Sequence, residues 1–216
     1  MADASRARTA YTAIVGVAEH GSAVVLVAVG RGAELLDRRR VELVEPGLSS
    51  HPHHHEGSWA VGRYLNTPGA RVLSLADAVA LVARVRASAE RGAREGLEAL
   101  AAALPVPVAR IAIRACPTLP PTIEERITDN RAQTIADSVM YREALAAAAR
   151  ALGWSVHWYD RDRVFIDAAA ALGGSDIDAV LREMGRSIGS PWQASHKLAA
   201  AAALAAAARA GRRRHR

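Results

Sequence analysis

Five side chains able to bind metals or move protons fall within six positions of the stretch "HPHHHE": His51, His53, His54, His55 and Glu56. Imidazoles are the commonest transition-metal ligands, and a carboxylate beside them can ligate an ion or act as a general base. In extended backbone alternate residues point the same way. His53, His55 and Glu56 are therefore the candidate set for a divalent metal such as zinc, manganese or magnesium. His54, His55 and Glu56 are the candidates for catalysis. The spacing differs from strong zinc motifs, which place two ligands on adjacent helical turns. Metal binding, metal-free catalysis or phosphate contact, and a solvated loop all stand as readings.

A second constellation lies in "TDNRAQTIADSVMYRE", residues 128–143. Asp129 and Asp137 join the catalytic candidates. Arg131, Tyr141 and Arg142, with Arg114, are candidates for holding a polar substrate or phosphate, because guanidinium forks match phosphate oxygens. The plainer reading puts Asp137 at a helix N-terminus, Tyr141 half-buried and Arg142 paired outward. His196, in "SPWQASHK", is a further catalytic candidate from the last helix. Cys116 is the only cysteine and reads as a buried, inert thiol. No glycine-rich phosphate loop, nucleotide fingerprint or nucleophile elbow is present, so no nucleotide cofactor is expected. Aromatic residues make up only 4%, too few for a base-stacking platform.

The net charge of +6 is concentrated at one place. Arg212, Arg213, Arg214 and Arg216 supply four of the six, leaving the body of the chain near neutral. A basic tail can hold phosphates non-specifically, but its plainer role is to keep a frayed terminus solvated. A single cysteine permits no intrachain disulfide, and no apolar run suits a signal peptide or membrane span. A cytoplasmic protein with no membrane partner is expected.

These side chains need elements to position them. Residues 11–18 and 22–29 read as buried strands joined by a turn at Gly21, and 33–44 contains a third, alternating strand. A long connection over 45–73 carries the histidines. Such length favours a functional loop. Ser74 with Asp77 starts a helix that Pro105 and Pro107 stop, although Gly92 and Gly96 weaken its middle. Residues 108–115 form a fourth strand, 117–133 a polar connection, 134–152 a helix ending at Gly153, and 154–159 a fifth strand. Two short helices follow over 161–172 and 176–186, the second capped by Ser175. Ser190-Pro191 opens a last helix to about 209. Residues 1–10 read as a flexible N-terminus, 11–210 as one domain and 211–216 as a basic C-terminal tail.

The element order β-β-β-α-β-α-β-α resembles the ribonuclease-H-like superfamily, and within it the RuvC-type resolvase group. "IVGVAEHGS" (14–22) is similar to that group's first strand, "RIAIRACP" (110–117) to its fourth and "HKLAAAAALA" (196–205) to its closing helix. The resemblance implies a five-stranded mixed sheet in the order 3-2-1-4-5, strand two antiparallel, flanked by helices. It also implies a two-metal nuclease site on carboxylates from strand one, strand four and the last helix. Those positions fall here at Ala18, with Glu19 next to it, at Arg114, and near Ala199. No acid lies in 196–208, so the usual carboxylate set is absent.

Two functions follow. One is a ribonuclease-H-like protein acting on or binding nucleic acid, or another phosphate-bearing substrate, through a non-standard His/Glu/Asp site, as a nuclease or phosphoesterase of unusual design. The other is a catalytically inactive interaction or scaffold module. A homodimer is compatible with both. A site requires His54, His55 or Glu56 to converge with Asp129, Asp137 or His196. A scaffold does not.

Overall fold

The computed structural model describes residues 11–56 and 73–211. The expectations for residues 1–10, for most of the connection after the third strand and for residues 212–216 lie outside them.

Five strands form one sheet: β1 (Ala13–His20), β2 (Ala23–Val29), β3 (Leu35–Glu42), β4 (Val108–Arg114) and β5 (Ser155–Tyr159). The order is β3-β2-β1-β4-β5. β2 runs antiparallel to β1 and β3, while β4 is parallel to both β1 and β5. This is the ribonuclease-H-like arrangement, with one antiparallel strand in an otherwise parallel set. β2 reads AVVLVAV and is buried along its whole length, as a central strand covered on both faces must be. Gly21 sits at φ 60 in the β1–β2 turn, a conformation glycine adopts without steric cost.

Helices cover both faces. α1 (Leu75–Ala103) and α3 (Ala132–Ala151) bury Val82, Val85, Leu97, Leu100 and Leu145 against Val15, Val17, Val24 and Leu26. On the opposite face, α4 (Val164–Ala171), α5 (Ile177–Ile188) and α6 (Ala194–Gly211) bury an alanine-rich surface against Ala18, Val25, Val27 and Ala112. The alanine run is thus explained by packing distance. A Cβ on Gly16 of β1 would stand 1.8 Å from the Ala199 carbonyl oxygen, so helix and strand meet almost backbone to backbone.

Several local expectations are corrected. Gly92 and Gly96 do not weaken α1 for want of a role: a Cβ at either would lie 2.4 Å from the Leu43 carbonyl oxygen or 2.5 Å from Val41, so they let the helix cross the end of β3. The polar connection at 117–133 contains a short helix, α2 (Ile123–Thr128). Its capping box pairs Thr122 with Glu125. α5 is capped by Asp176, which accepts from the backbone of Asp178 and Ala179, while Ser175 donates instead to the Leu172 carbonyl. Pro191 does not open the last helix. It follows a cis peptide, and α6 begins at Ala194.

Candidate functional site

β1 and β4 are parallel and adjacent, so their C-terminal ends meet at one edge of the sheet, the edge where open α/β sheets place ligands. Glu19 stands there on β1 and Arg114 on β4, with Tyr159 of β5 in register with Arg114. Arg142 reaches the same point from α3. Its Nε donates to Glu19 Oε2 at 2.5 Å, one terminal nitrogen donates to Oε1, and Nη1 donates to the Ala115 carbonyl at 3.1 Å. Arg114 Nη1 lies 3.5 Å from Glu19 Oε1. Burial works against charge on Arg142, but the hydrogen bonds and field of Glu19 outweigh it and hold the guanidinium above its ordinary pKa.

Two neighbours share this environment. Tyr159 donates its hydroxyl to the Val17 carbonyl at 2.9 Å. Burial first, and then the field of Glu19, push its phenol up to about 12. Cys116 is half-buried, and burial raises its thiol despite the opposing field of Arg142. It therefore lacks the lowered pKa of an activated nucleophile. Arg114, Cys116, Ser138, Arg142, Tyr159 and Arg161 line a cleft of about 460 Å³, to which Asp160 and Asp162 also contribute.

The donor set does not fit a pair of divalent ions. Hard cations need several free oxygens. Glu19 is the one carboxylate at the strand ends of β1 and β4, and Arg142 engages both its oxygens. Ala18 and Ala199 are fully buried and offer no ligand, and Arg114 brings a cation where an acid would be required.

The histidine stretch lies beside this edge. A Cβ on Gly21 would stand 3.7 Å from His51 Cε1, which places His51 over the β1–β2 turn. Residues Pro52–Glu56 form a π-helical turn, not extended backbone. The alternation argument that paired His53 with His55 therefore does not apply. Asp137, a buried residue of α3, holds this turn. Its carboxylate accepts from the backbone N–H of His53 at 3.0 Å and of His54 at 3.2 Å, and lies 2.8 Å from His53 Nδ1. A carboxylate at the first N–H groups of a helical turn satisfies orphan donors and complements their dipole. One turn along α3, Tyr141 donates to the Ser50 carbonyl at 2.7 Å. Asp137 is thus an internal residue of α3 that caps a different segment, and Tyr141 is fully buried, not half-buried.

His53 is buried, and its Nε2 finds no hydrogen-bond partner among the described residues. The side chains of His55 and Glu56 lie outside those described. No group of three or more potential metal ligands occurs among the described residues.

The remaining candidates sit elsewhere. Asp129 accepts from the backbone N–H of Arg131 at 2.8 Å and of Ala132 at 2.7 Å, which starts α3. Arg131 lines a second cleft of about 400 Å³, which shares Pro117 and Ile135 with the first. His196 lies on the opposite face of the sheet from Asp137. Its Nδ1 accepts from the Gln193 N–H at 3.1 Å and its ring stacks on Trp192. Burial, and then Arg38, lower its pKa. The structure brings His53 and His54 to Asp137, and separates His196 from them. Sequence reading did not anticipate Glu19 locked to Arg142, nor Tyr159 and Arg161 in the same cleft. The available signal was the "YDRDR" run (159–163), which leaves β5 at the edge where β4 ends.

No family model matches the chain, and no curated protein matches it. Among solved structures, T. thermophilus RuvC in complex with a Holliday junction substrate is 14% identical, covering 93% of this chain and 96% of that one, with a TM-score of 0.49. The Thermus thermophilus RuvC structure is 15% identical over the same shares, with a TM-score of 0.48. The chain is distantly similar to them, and its ribonuclease-H-like fold is read from its own strand order and directions.

Proposed function

We propose that this chain is a ribonuclease-H-like domain that binds the phosphate backbone of nucleic acid at the C-terminal edge of β1 and β4, with arginines standing where the superfamily's metal ions would. One observation carries the reading: Arg142 engages both oxygens of Glu19 while Arg114, in the position of an acid, remains 39% exposed at its side chain. A guanidinium can hold two phosphate oxygens in parallel, which makes Arg114 and Arg161 the natural contacts in the cleft. Asp160 and Asp162 line the same cleft and oppose an anion there, so the proposed contact rests on the guanidinium forks of Arg114 and Arg161. The segment carrying His54, His55 and Glu56, held by Asp137, is proposed as a neighbouring contact. Arg131 extends the surface along the second cleft.

Fluorescence anisotropy with labelled duplex, RNA/DNA hybrid, single-stranded and four-way-junction probes tests this. Arg114→Gln and Arg161→Gln should each weaken binding and flatten the dependence of log affinity on log salt by about one contact. Unaltered affinity in both variants would remove the cleft from the account.

A second reading, an interaction module, is favoured by a different observation: Trp158, Phe165 and Ile166 are exposed large apolar side chains. Absence of binding to every probe at low salt would leave that reading in place.

A further inference from the structure

Residues 189–193 connect α5 to α6, and each contact that holds them in place can be named. Arg38 of β3 donates to the Ser190 carbonyl at 3.0 Å and also to the Pro191 carbonyl. Trp192 lies across Gly185 of α5, where a Cβ would stand 2.5 Å from the indole Cδ1, so the ring fits because that residue is glycine. The same indole stacks on His196 of α6, with ring centroids 5.7 Å apart.

His196 completes the arrangement as part of the cap of α6. The Gln193 carbonyl accepts from the Lys197 N–H at 3.1 Å, which makes Gln193 the N-cap and His196 the third helical residue. From there His196 Nδ1 accepts the Gln193 N–H at 3.1 Å. In a capping box this place belongs to Glu or Gln, whose side chain reaches back to the N-cap N–H. An imidazole fills it only while Nδ1 is unprotonated, so the neutral ring carries its proton on Nε2. A second proton removes the acceptor and sets one donor against another. It also puts positive charge in the first turn of a helix, where the dipole opposes it.

The surrounding charges do not relieve that cost. Arg38 acts on the ring as a like charge, and Lys197, exposed, is the next residue of α6. Asp37 and Glu42 of β3 are engaged by Arg39 and Arg40, and Glu183 of α5 by Arg186, with Arg182 exposed on the same helix. β2 and residues 189–193 carry no charged side chain. The closed arrangement has a cost of its own. Nε1 of Trp192 is buried and finds no hydrogen-bond partner among the described residues, and opening would hydrate it.

We propose that His196 is a proton-operated latch: the neutral imidazole keeps residues 189–193 closed against α5 and β3, and its protonation releases this connection, with Trp192 leaving Gly185, while the sheet stays folded. The inference is independent of nucleic-acid binding. The direction follows from linkage. Burial, and then Arg38, hold the closed-state imidazole below its ordinary value of 6.5, so the open form takes up the proton first. Closure is therefore complete above pH 6.5 and is lost as pH falls from there through the lower closed-state pKa.

Hydrogen exchange of the full chain at about pH 7.5 and about pH 5, corrected for the intrinsic rate at each pH, tests it. Protection of the Gln193 amide should fall about tenfold or more at the lower pH, with the β2 amides unchanged. His196→Glu supplies the usual capping-box acceptor and should keep Gln193 protected at both pH values, whereas His196→Ala should leave it unprotected at both. The emission of Trp192, taken as the difference between wild type and Trp192→Phe, should move to the red on acidification in wild type and not in His196→Glu. Equal protection of Gln193 at both pH values in wild type would overturn the proposal. So would an acid-induced loss that persists in His196→Glu or that the β2 amides share.

Discussion

Arg142 of α3 and Glu19 of β1, 123 residues apart, meet as a two-pronged ion pair at the end of the sheet. The pair stands at the edge where the C-terminal ends of β1 and β4 meet. Its consequences for stability can be measured. Removing one member of a buried pair leaves the other uncompensated, which costs about 3–5 kcal/mol at full burial. Arg142→Met should therefore lower stability by roughly 2–4 kcal/mol, the smaller figure reflecting Arg114 nearby and the partial exposure of Glu19. Glu19→Gln/Arg142→Met should recover part of the loss. Urea denaturation of the wild type and these two variants checks this. Equal stability of Arg142→Met and wild type would contradict the pairing.

Gly16 sets the distance between β1 and α6. Gly16→Ala places a methyl group 1.8 Å from the Ala199 carbonyl oxygen, and backbone on both sides leaves nothing flexible to yield. We expect a loss of about 3 kcal/mol or more, at or above the upper end for overpacking. Thermal denaturation within a few degrees of wild type would show that the helix can lift away.

Tyr159 gives the protein an alkaline limit. Its folded pKa of about 12 lies above the ordinary value of 10, so the unfolded chain ionises first. The stability that its neutral form contributes is complete below pH 10 and is lost as pH rises from there through about 12. Tyr159→Phe should remove this limb and cost about 1 kcal/mol at neutral pH through the lost bond to Val17. Stability curves against pH for both proteins decide it, and parallel curves would refute the assignment.

Asp137 holds the histidine turn through two backbone N–H groups and one imidazole. Asp137→Ala should cost roughly 2–3 kcal/mol, since hydrogen bonds to a charged group are the stronger kind. It should also speed hydrogen exchange at the His53 and His54 amides by about a hundredfold, with little change in the β2 amides. Unchanged exchange at both amides would remove Asp137 from this role.

The sheet was readable from the chain because its signals are local and repeated. Apolar runs such as AVVLVAV, a glycine between β1 and β2, and helix-length segments between later strands leave few right-handed topologies to choose among. The site was harder to read for reasons visible in particular residues. Asp137 looked like the start of a helix because sequence shows that an acid lies early in α3, not which backbone it faces. Its true partners are 84 and 83 residues away. The "HPHHHE" stretch looked extended because proline and histidine carry no strong helical period, whereas the turn they adopt is imposed by Asp137. His196 was grouped with the catalytic candidates because sequence gives its place in the closing helix but not the face of the sheet that helix covers. That helix packs Ala199 against Gly16 of β1 on the face of the sheet opposite Asp137, and further along it the Arg110 guanidinium of β4 bonds the Ala206 carbonyl.

The most direct test of arginines in place of metal ions is binding and cleavage of one labelled four-way junction and one RNA/DNA hybrid, each measured in excess chelator and in magnesium or manganese. The account predicts the same affinity in both conditions to within about twofold, no cleavage product, and weaker binding in Arg114→Gln irrespective of metal. Metal-dependent cleavage, or metal-dependent tightening of about tenfold or more that Glu19→Gln abolishes, would show that Glu19 serves a metal site and that the ion pair with Arg142 is not its working state.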